Sequence, residues 1–205
     1  DYIDKNLIAA TGHSMGGNAA VRGGDLFGQR SQQNNEKSRL HSIFISGYVL
    51  TLRDEILKNV RSNIGVSYAF YDEGAFRNEL SNWDAANMEI APESLRVVNS
   101  IYDPNEEISR VELGRYYGET EDRSIRVVFN EKLLHPFQPY NREAMANQLS
   151  YFDNVMGSPI ALDPNNQTWQ WKEFFTLINL IISFLLIIPI SKDLLNLNLF
   201  SGLRK

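Results

Sequence analysis

The sequence predicts an α/β fold, a mostly parallel sheet flanked by helices, followed by a helix that spans a membrane. Three observations predict it. Short apolar runs alternate with helical patterns through most of the chain, which is typical of parallel strands joined by crossover helices. The first apolar run ends in a glycine-flanked turn at residues 12–16. Near the other end, seventeen consecutive residues, 174–190, carry no charge.

The composition narrows the class of protein. The chain has 205 residues, 20 Lys+Arg, 25 Asp+Glu, no cysteine and a formal net charge of −5. This length suits one domain plus an appendage. Mild acidity without a basic patch argues against a nucleic-acid partner. The lack of cysteine excludes disulfides, thiol catalysis and cysteine-based zinc sites. The sequence also shows no glycine-rich phosphate loop and no metal-ligand spacing, so neither a cofactor nor a metal is expected.

The first predicted strand, residues 7–11, runs into the most informative motif of the chain. Gly12-His13-Ser14-Met15-Gly16 matches G-x-S-x-G, and residues 18–22 have the pattern of an opening helix. A serine on so sharp a strand-to-helix turn has strained backbone dihedrals, so small residues are expected on both sides of it. The helix N-terminus behind Ser14 favours developing negative charge. These features predict a serine nucleophile.

The next elements continue the alternation. The polar run 29–37 is predicted to be a solvated loop, followed by a strand at 42–47 and a helix at 52–60. Residues 65–70 predict a further strand, which delivers Asp72 at its carboxyl end. Because reactive groups gather outside the carboxyl ends of parallel strands, Asp72 is in the right kind of place for catalysis.

The middle of the chain is harder to assign. Residues 75–107 are acidic and irregular, and no element is predicted there. Beyond them the pattern predicts two strands joined by a turn, a loop that carries His135, and a helix. Their ranges are 107–117 and 123–129 for the strands, 118–122 for the turn, and 141–152 for the helix.

Serine chemistry needs a base within hydrogen-bond reach of the hydroxyl and a carboxylate that orients the base. The chain offers three histidines. His13 is adjacent to Ser14 on a tight turn, so it points away from the serine and packs or lines the pocket. His41 precedes the next strand and is expected to be an ordinary surface residue. His135, on the loop after the last predicted strand, is the candidate base.

The carboxylate has more than one candidate. Asp72 directly follows a predicted strand and is the first choice. Glu73, its neighbour, could compete, and Asp103 is the main rival because some hydrolases supply the acid from a later position. For each of these residues the alternative interpretation is a solvated loop carboxylate, as most surface acids are.

The segment from Asp4 to Gly17, together with Tyr71-Asp72-Glu73, His135-Pro136-Phe137 and a tryptophan-rich approach to an apolar helix, resembles bacterial membrane-associated α/β hydrolases. Their order along the chain is also serine, acid, histidine. In that family an esterase-like domain precedes several membrane helices. The resemblance implies that residues 1–157 are the C-terminal half of an α/β-hydrolase fold and that the chain is the C-terminal portion of a longer protein.

The resemblance also implies a chemistry. Ser14, His135 and Asp72 would hydrolyse an ester or related acyl bond of a small-molecule or lipid-like substrate through an acyl-enzyme. The backbone N–H of Met15 would be one oxyanion donor, and the second would come from upstream sequence. Two alternatives stay open: a catalytically silent binding or sensing module of a membrane protein, and a serine peptidase or acyltransferase on the same fold.

The last part of the chain predicts a membrane region. Residues 158–173 are a juxtamembrane linker, 174–190 a transmembrane helix, and 191–205 an interfacial tail or the start of a further span. Tryptophans and lysines flank the span, at 169 and 171 and at 172 and 192. A buried core helix is the alternative.

Two finer predictions concern this region. Thr176, Asn179 and Ser183 share one helical face, which favours packing against other membrane helices. The positive C-terminal flank, with Lys192, Arg204 and Lys205 against Asp193, favours an orientation in which the hydrolase domain lies on the extracytoplasmic side. These three basic residues sit on the side that tends to stay in the cytoplasm. The resemblance implies that the membrane is a bacterial cell membrane.

Overall fold

Four parallel strands organise the first part of the chain in the computed structural model, which describes residues 4–157 and 162–203. The strands are β1 (Ile8–His13), β2 (Leu40–Ser46), β3 (Asn63–Ser67) and β4 (Arg126–Phe129). They pair in chain order, β1-β2-β3-β4, and every pair is parallel. All four carboxyl ends therefore meet at one edge of the sheet. The predicted α/β class is confirmed.

Helices connect the strands and cover the sheet. The described elements outside the sheet are α1 (Met15–Asn34), α2 (Asp54–Leu57), α3 (Pro92–Asn99), α4 (Arg142–Met156), α5 (Trp169–Leu195) and four 3-10 helices, at Ala75–Arg77, Trp83–Ala86, His135–Tyr140 and Asn198–Leu203. By their contacts, the residues form two compact units, one ending at Asn165 and one beginning at Asn166. The sheet belongs to the first unit and α5 to the second.

The sheet has an apolar cluster on each face. Ile43 and Ile45 of β2 are fully buried with residues of α1 and α3. Phe44, between them in sequence, packs in a separate cluster with Val127 of β4 and Tyr151 of α4. Successive side chains of a strand point to opposite faces, so alternation along β2 fills both clusters. The first unit is thus a sheet between two helical layers.

Two segments differ from the predictions. Residues 107–117 are not a strand. Tyr117 alone pairs there, in a single antiparallel bridge with Arg126. Gly114 and Gly118 have positive φ and interrupt extended backbone on either side of it. The polar run 29–37 is not entirely loop either, since α1 continues to Asn34. Its polar side chains cover the exposed face of a helix, so the composition indicated exposure but not conformation.

The irregular stretch 75–107 contains α3 and two of the 3-10 helices. The helix predicted at 52–60 is limited to α2, whose four residues form barely one turn. The helix predicted at 141–152 is present and extends to Met156. Each of the other predicted strands is present with shifted ends. Elements on the sheet were thus easier to predict than the connections between β3 and β4.

The second unit contains one long helix, α5, of 27 residues, and none of them is buried. Its mean hydropathy reaches 2.4 over eighteen residues, so by length and composition it is able to cross a membrane. At 1.5 Å per residue the helix is about 40 Å long. Thr176, Asn179 and Ser183 are exposed on it, and the Ser183 hydroxyl donates to the Asn179 carbonyl oxygen at 2.7 Å.

The described residues cover only part of the predicted membrane region. Residues 158–161 of the predicted linker, and Arg204 and Lys205 of the basic tail, lie outside the described residues. Every described side chain of the predicted span 174–190 is exposed or half-buried, so the described residues form no core around this helix.

Candidate active site

Ser14 sits between β1 and α1 with φ 57° and ψ −119°. Few non-glycine residues adopt positive φ, and a backbone of this kind costs about 1–3 kcal/mol, which the surrounding structure must supply. The Ser14 N–H donates to the Ser46 carbonyl oxygen at 2.8 Å, which continues the β1–β2 pairing into the turn. The predicted strained turn is therefore present, at the carboxyl edge of the sheet.

The glycines around Ser14 are not equally constrained. A Cβ on Gly12 would lie 2.3 Å from the carbonyl carbon of Gly16, and one on Gly17 would lie 3.0 Å from the Ser46 carbonyl oxygen. A Cβ on Gly16 would meet nothing within 4 Å of the described atoms. The expectation that both motif glycines must be small thus holds for Gly12 but not for Gly16. Gly17, outside the motif, is the second tight position.

Asp72 and His135 meet at the same edge. The Nδ1 atom of His135 lies 2.8 Å from Oδ2 of Asp72. The other carboxylate oxygen, Oδ1, accepts from the Gly74 N–H at 2.7 Å. Because an ionised carboxylate only accepts, the Nδ1 atom carries the proton in this pair, and Nε2 is left as an acceptor. The Asp72 side chain is 6 % exposed, so water competes little for it.

Backbone hydrogen bonds bring the two loops together. The N–H of Tyr71 donates to the Leu133 carbonyl oxygen at 3.1 Å. The N–H of Phe70 donates to the backbone carbonyl oxygen of Glu131 at 2.8 Å. The segments that follow β3 and β4 therefore run side by side for several residues beyond the strands. This extension places Asp72 opposite His135, although 63 residues separate them.

The rival carboxylates lie elsewhere. Glu73 and Asp103 are both exposed. Among the described residues, Asp72 is the carboxylate that forms an ion pair or hydrogen bond with His135. The geometry thus separates three acids that the sequence could only rank.

A cavity of about 450 Å³ joins the candidate residues. Ser14, Asp72 and His135 all line it, as does Met15, whose backbone N–H is at the first turn of α1 and has no intrahelical acceptor. The rest of the lining is half apolar or aromatic, with two glycines, one acid, one base and one amide: Tyr48, Val49, Leu50, Tyr68, Phe76, Gly47, Gly74, Glu73, Arg77 and Asn78.

Tyr68 forms part of the cavity wall near Asp72. Burial, and secondly the negative charge of Asp72, raise the pKa of the Tyr68 phenol. Its hydroxyl oxygen accepts from the Asn78 side-chain amide at 3.1 Å. Tyr68 is therefore a neutral polar group in this wall at any physiological pH.

The other two histidines differ from each other. His41 lies within β2, is 7 % exposed, and its Nδ1 is 2.7 Å from the Ser42 hydroxyl. The prediction of a surface residue is wrong, because the strand begins at Leu40, two residues before the predicted start, and is buried throughout. His13 packs against the candidate base: the rings of His13 and His135 have centroids 4.5 Å apart. This agrees with the expectation that His13 packs or lines the pocket.

A buried polar network that no sequence pattern predicted connects residues of β3, the His135 segment and α4. Glu131 Oε2 accepts from the Ser67 hydroxyl at 2.9 Å, and Oε1 accepts from the Asn147 amide at 3.0 Å. The Gln138 amide donates to Ser67 and to Glu131 Oε2. Burial raises the pKa of Glu131, against the effect of these hydrogen bonds. The network ties β3, the His135 segment and α4 together.

No group of three or more His, Asp or Glu side chains within residues 4–157 and 162–203 is arranged to hold a metal ion. Comparisons of the chain with protein-family models, with curated proteins and with solved structures return no match. What can be inferred about function therefore depends on the residues and the geometry given above.

Proposed function

We propose that the protein is a serine hydrolase of the α/β-hydrolase fold that cleaves an ester or related acyl bond through an acyl-enzyme. One observation carries the proposal. A serine on a strained strand-to-helix turn shares a cavity with a histidine whose Nδ1 is bonded to a buried carboxylate at 2.8 Å. This is the set of groups that serine acyl transfer needs, in the chain order serine, acid, histidine.

In the acylation step, Ser14 Oγ attacks the carbonyl carbon of the ester while Nε2 of His135 accepts the hydroxyl proton. Asp72 holds Nδ1–H and stabilises the imidazolium that forms. The tetrahedral oxyanion accepts a hydrogen bond from the Met15 N–H at the positive end of α1. Collapse of this intermediate breaks the bond to the alkoxy oxygen, and the leaving alcohol takes the proton from His135.

Deacylation uses the same groups with water as the nucleophile. His135 accepts a proton from water, the resulting hydroxide adds to the acyl carbon, and Ser14 leaves with that proton restored to its oxygen. The products are a carboxylic acid and the regenerated enzyme. With water as the co-substrate, the cycle balances without an oxidant or a reductant.

The cavity supports an apolar acyl group as the substrate class. Met15, Leu50 and Phe76 contribute apolar surface beside Ser14, and Val49 is buried behind them. Five exposed aromatic side chains are found in the described part of the first unit, and all follow β3 or β4: Tyr71, Phe76, Trp83, Phe137 and Tyr140. Of these five, Phe76 lines the cavity. Exposed aromatic surface favours contact with apolar or lipid-like ligands.

The helix α5 supports a membrane location for this enzyme. We take it to span the bilayer, with the hydrolase unit outside the cytoplasm, since the C-terminal flank is the more basic one. A cysteine placed at Gln32, an exposed position of α1 in a chain that has no other cysteine, tests the orientation. A membrane-impermeant thiol reagent should label it in intact cells, and labelling only after lysis would put the hydrolase unit inside.

Hydrolysis of p-nitrophenyl esters of increasing acyl length tests the reaction. The protein should release nitrophenol, and Ser14→Ala should abolish the release. Ser81→Ala is a matched control, because Ser81 also has positive φ, 54°, but does not line the cavity. Equal turnover in the wild-type protein and Ser14→Ala would overturn the proposal, and so would an equal loss in Ser81→Ala.

A further inference from the structure

The hydrogen bond to Asp72 fixes only one atom of the His135 ring. A ring held at Nδ1 can still pivot about that bond, and a pivot moves Nε2, the atom that must reach the serine. The remaining neighbours of the ring therefore decide where Nε2 points. In this structure they come from the ends of β1 and β2 and from the segment after β4.

His13 is the ring neighbour. The centroids of the His13 and His135 rings are 4.5 Å apart and the ring planes are tilted by 39°. His13 is itself held in place, since its Nδ1 lies 3.1 Å from the Ser46 hydroxyl. His13 and Ser46 are partners across the β1–β2 ladder, so this contact ties the His13 ring to the sheet.

Gly47 makes room for the pair. Its φ is +63°, and a Cβ there would lie 2.7 Å from Cε1 of His13 and 2.9 Å from Cε1 of His135. The same Cβ would lie 2.9 Å from Oε1 of Gln138. Three side chains thus converge on the space that the glycine leaves open. Their approach depends on the absence of a side chain at this position.

Gln138 is the third side chain that approaches Gly47. It is 1 % exposed, and its amide group is fixed by Ser67 and Glu131, which leaves Oε1 as a buried acceptor without a hydrogen-bond partner among the described atoms. A buried oxygen of this kind calls for an explanation. The edge of a protonated imidazole, polarised at C–H, is a group that such an oxygen can stabilise.

We propose that His13 is a positioning residue for His135: its ring, tied to Ser46 and admitted by Gly47, holds the His135 imidazole in the orientation that proton transfer from Ser14 requires. This inference rests on the proposed serine-hydrolase function. His13 touches neither substrate nor the reacting atoms in this scheme and acts through His135 alone.

The charge state of His13 fits this role. Burial, and secondly the positive charge of His135, lower the pKa of His13, while Asp72 acts in the opposite direction. His13 therefore stays neutral when His135 accepts a proton, so the pair avoids two adjacent positive charges. A cation at position 13 would instead repel the imidazolium intermediate.

Three variants test the proposal in the intact protein. His13→Ala should lower kcat by about tenfold to a hundredfold with KM nearly unchanged, the scale expected for a misplaced catalytic group. His13→Phe keeps a ring against His135 and should recover a large part of that loss. His41→Ala, which removes the other strand histidine, a buried residue that does not line the cavity, should keep the wild-type kcat.

Imidazole NMR separates failure of this inference from failure of the proposed function. In the wild-type protein the His135 ring signals should be sharp and report one orientation. In His13→Ala the Nδ1–H bonded to Asp72 should remain, while the Cε1–H and Nε2 signals should shift and broaden as the ring samples several orientations, whether or not the protein turns over ester. Wild-type kcat together with unchanged His135 signals in His13→Ala would overturn the inference. A loss in His41→Ala equal to that in His13→Ala would overturn it as well.

Discussion

The sheet unit and the helix α5 treat apolar residues in opposite ways. In the sheet unit, Ile43, Ile45 and Val66 are fully buried, and Asp72 and His135 at the carboxyl edge are bonded to each other. In α5, which is richer in apolar residues, Leu185 is 69 % exposed and none of the helix is buried. Both units are rich in apolar side chains, but among the described residues only the sheet unit buries them against its own atoms.

The two units should therefore respond differently to substitutions. The chemistry proposed for the sheet unit depends on distances of about a hydrogen bond between residues far apart in sequence, so it should be sensitive to single atoms. The behaviour of α5 depends on the summed transfer free energy of many side chains, so it is sensitive to charge but tolerant of apolar exchange. The predictions below follow from that contrast.

The largest expected effect is in the sheet unit, at Asp72. Asp72→Asn should lower ester turnover by about 10⁴-fold, because the amide favours the wrong imidazole tautomer. Steady-state kinetics on a p-nitrophenyl ester measure it. Asp103→Asn and Glu73→Gln are matched controls and should change turnover by less than about twofold, since both acids are exposed and outside the pair. A crippled Asp103→Asn beside a mild Asp72→Asn would reverse the assignment.

The next effect is in α5 and concerns the bilayer. Leu185→Arg places a charge in the middle of the apolar helix, at a cost of about 2.5–3.5 kcal/mol for insertion. A larger carbonate-extractable fraction in membrane preparations should follow. Ser191→Arg, close to Lys192 at the end of the helix, should leave the protein in the membrane fraction. If the wild-type protein itself is extracted by carbonate, α5 does not span a membrane.

A smaller effect separates the two motif glycines. Gly12→Ala should destabilise the protein by about 1–3 kcal/mol or more, since its Cβ would overlap the Gly16 backbone. Gly16→Ala should be neutral or stabilise the protein by up to about 1 kcal/mol, because its Cβ meets open space in a helix. Urea unfolding of the two variants measures both. Equal destabilisation would mean that the turn constrains both positions.

Much of the sheet unit could be predicted because its signals are local. Each buried strand is a short apolar run, and the glycines of the serine turn appear in the sequence. The Asp72–His135 contact was also within reach, since both residues follow parallel strands whose carboxyl ends share an edge. The sequence could not decide whether Asp72 or Asp103 contacts His135. The contact with Asp72 depends on backbone hydrogen bonds between the loops after β3 and β4, which no local pattern reveals.

Other parts of the site carried no local signal. Gln138 and Glu131 are polar residues that composition places at the surface, yet both are buried because they satisfy each other and Ser67. The contact between His13 and His135 depends on the register of β1 with β2 and on positive φ at Gly47. The segment 107–117 has an alternating pattern but lacks a partner strand along most of its length, so pattern alone predicted a strand wrongly.

The smallest expected effect is a pH dependence of stability in the sheet unit. Burial, and secondly the charge of Arg123, lower the pKa of His41 from 6.5. The unfolded chain therefore binds a proton more readily, and the stability that neutral His41 contributes is present above pH 6.5 and lost as pH falls through the folded pKa. His41→Asn should flatten the decline of the urea midpoint between pH 7 and pH 5. A decline as steep as in the wild-type protein would exclude His41 as a source.

The central claim is that Ser14 is an activated nucleophile, and covalent labelling tests it most directly. A fluorophosphonate reacts with an activated serine but not with an ordinary hydroxyl. The wild-type protein should gain one adduct, located on Ser14 by peptide mass mapping, and labelling should be lost in Ser14→Ala and strongly slowed in Asp72→Asn. An unlabelled wild-type protein, or an adduct that survives Ser14→Ala, would contradict the claim.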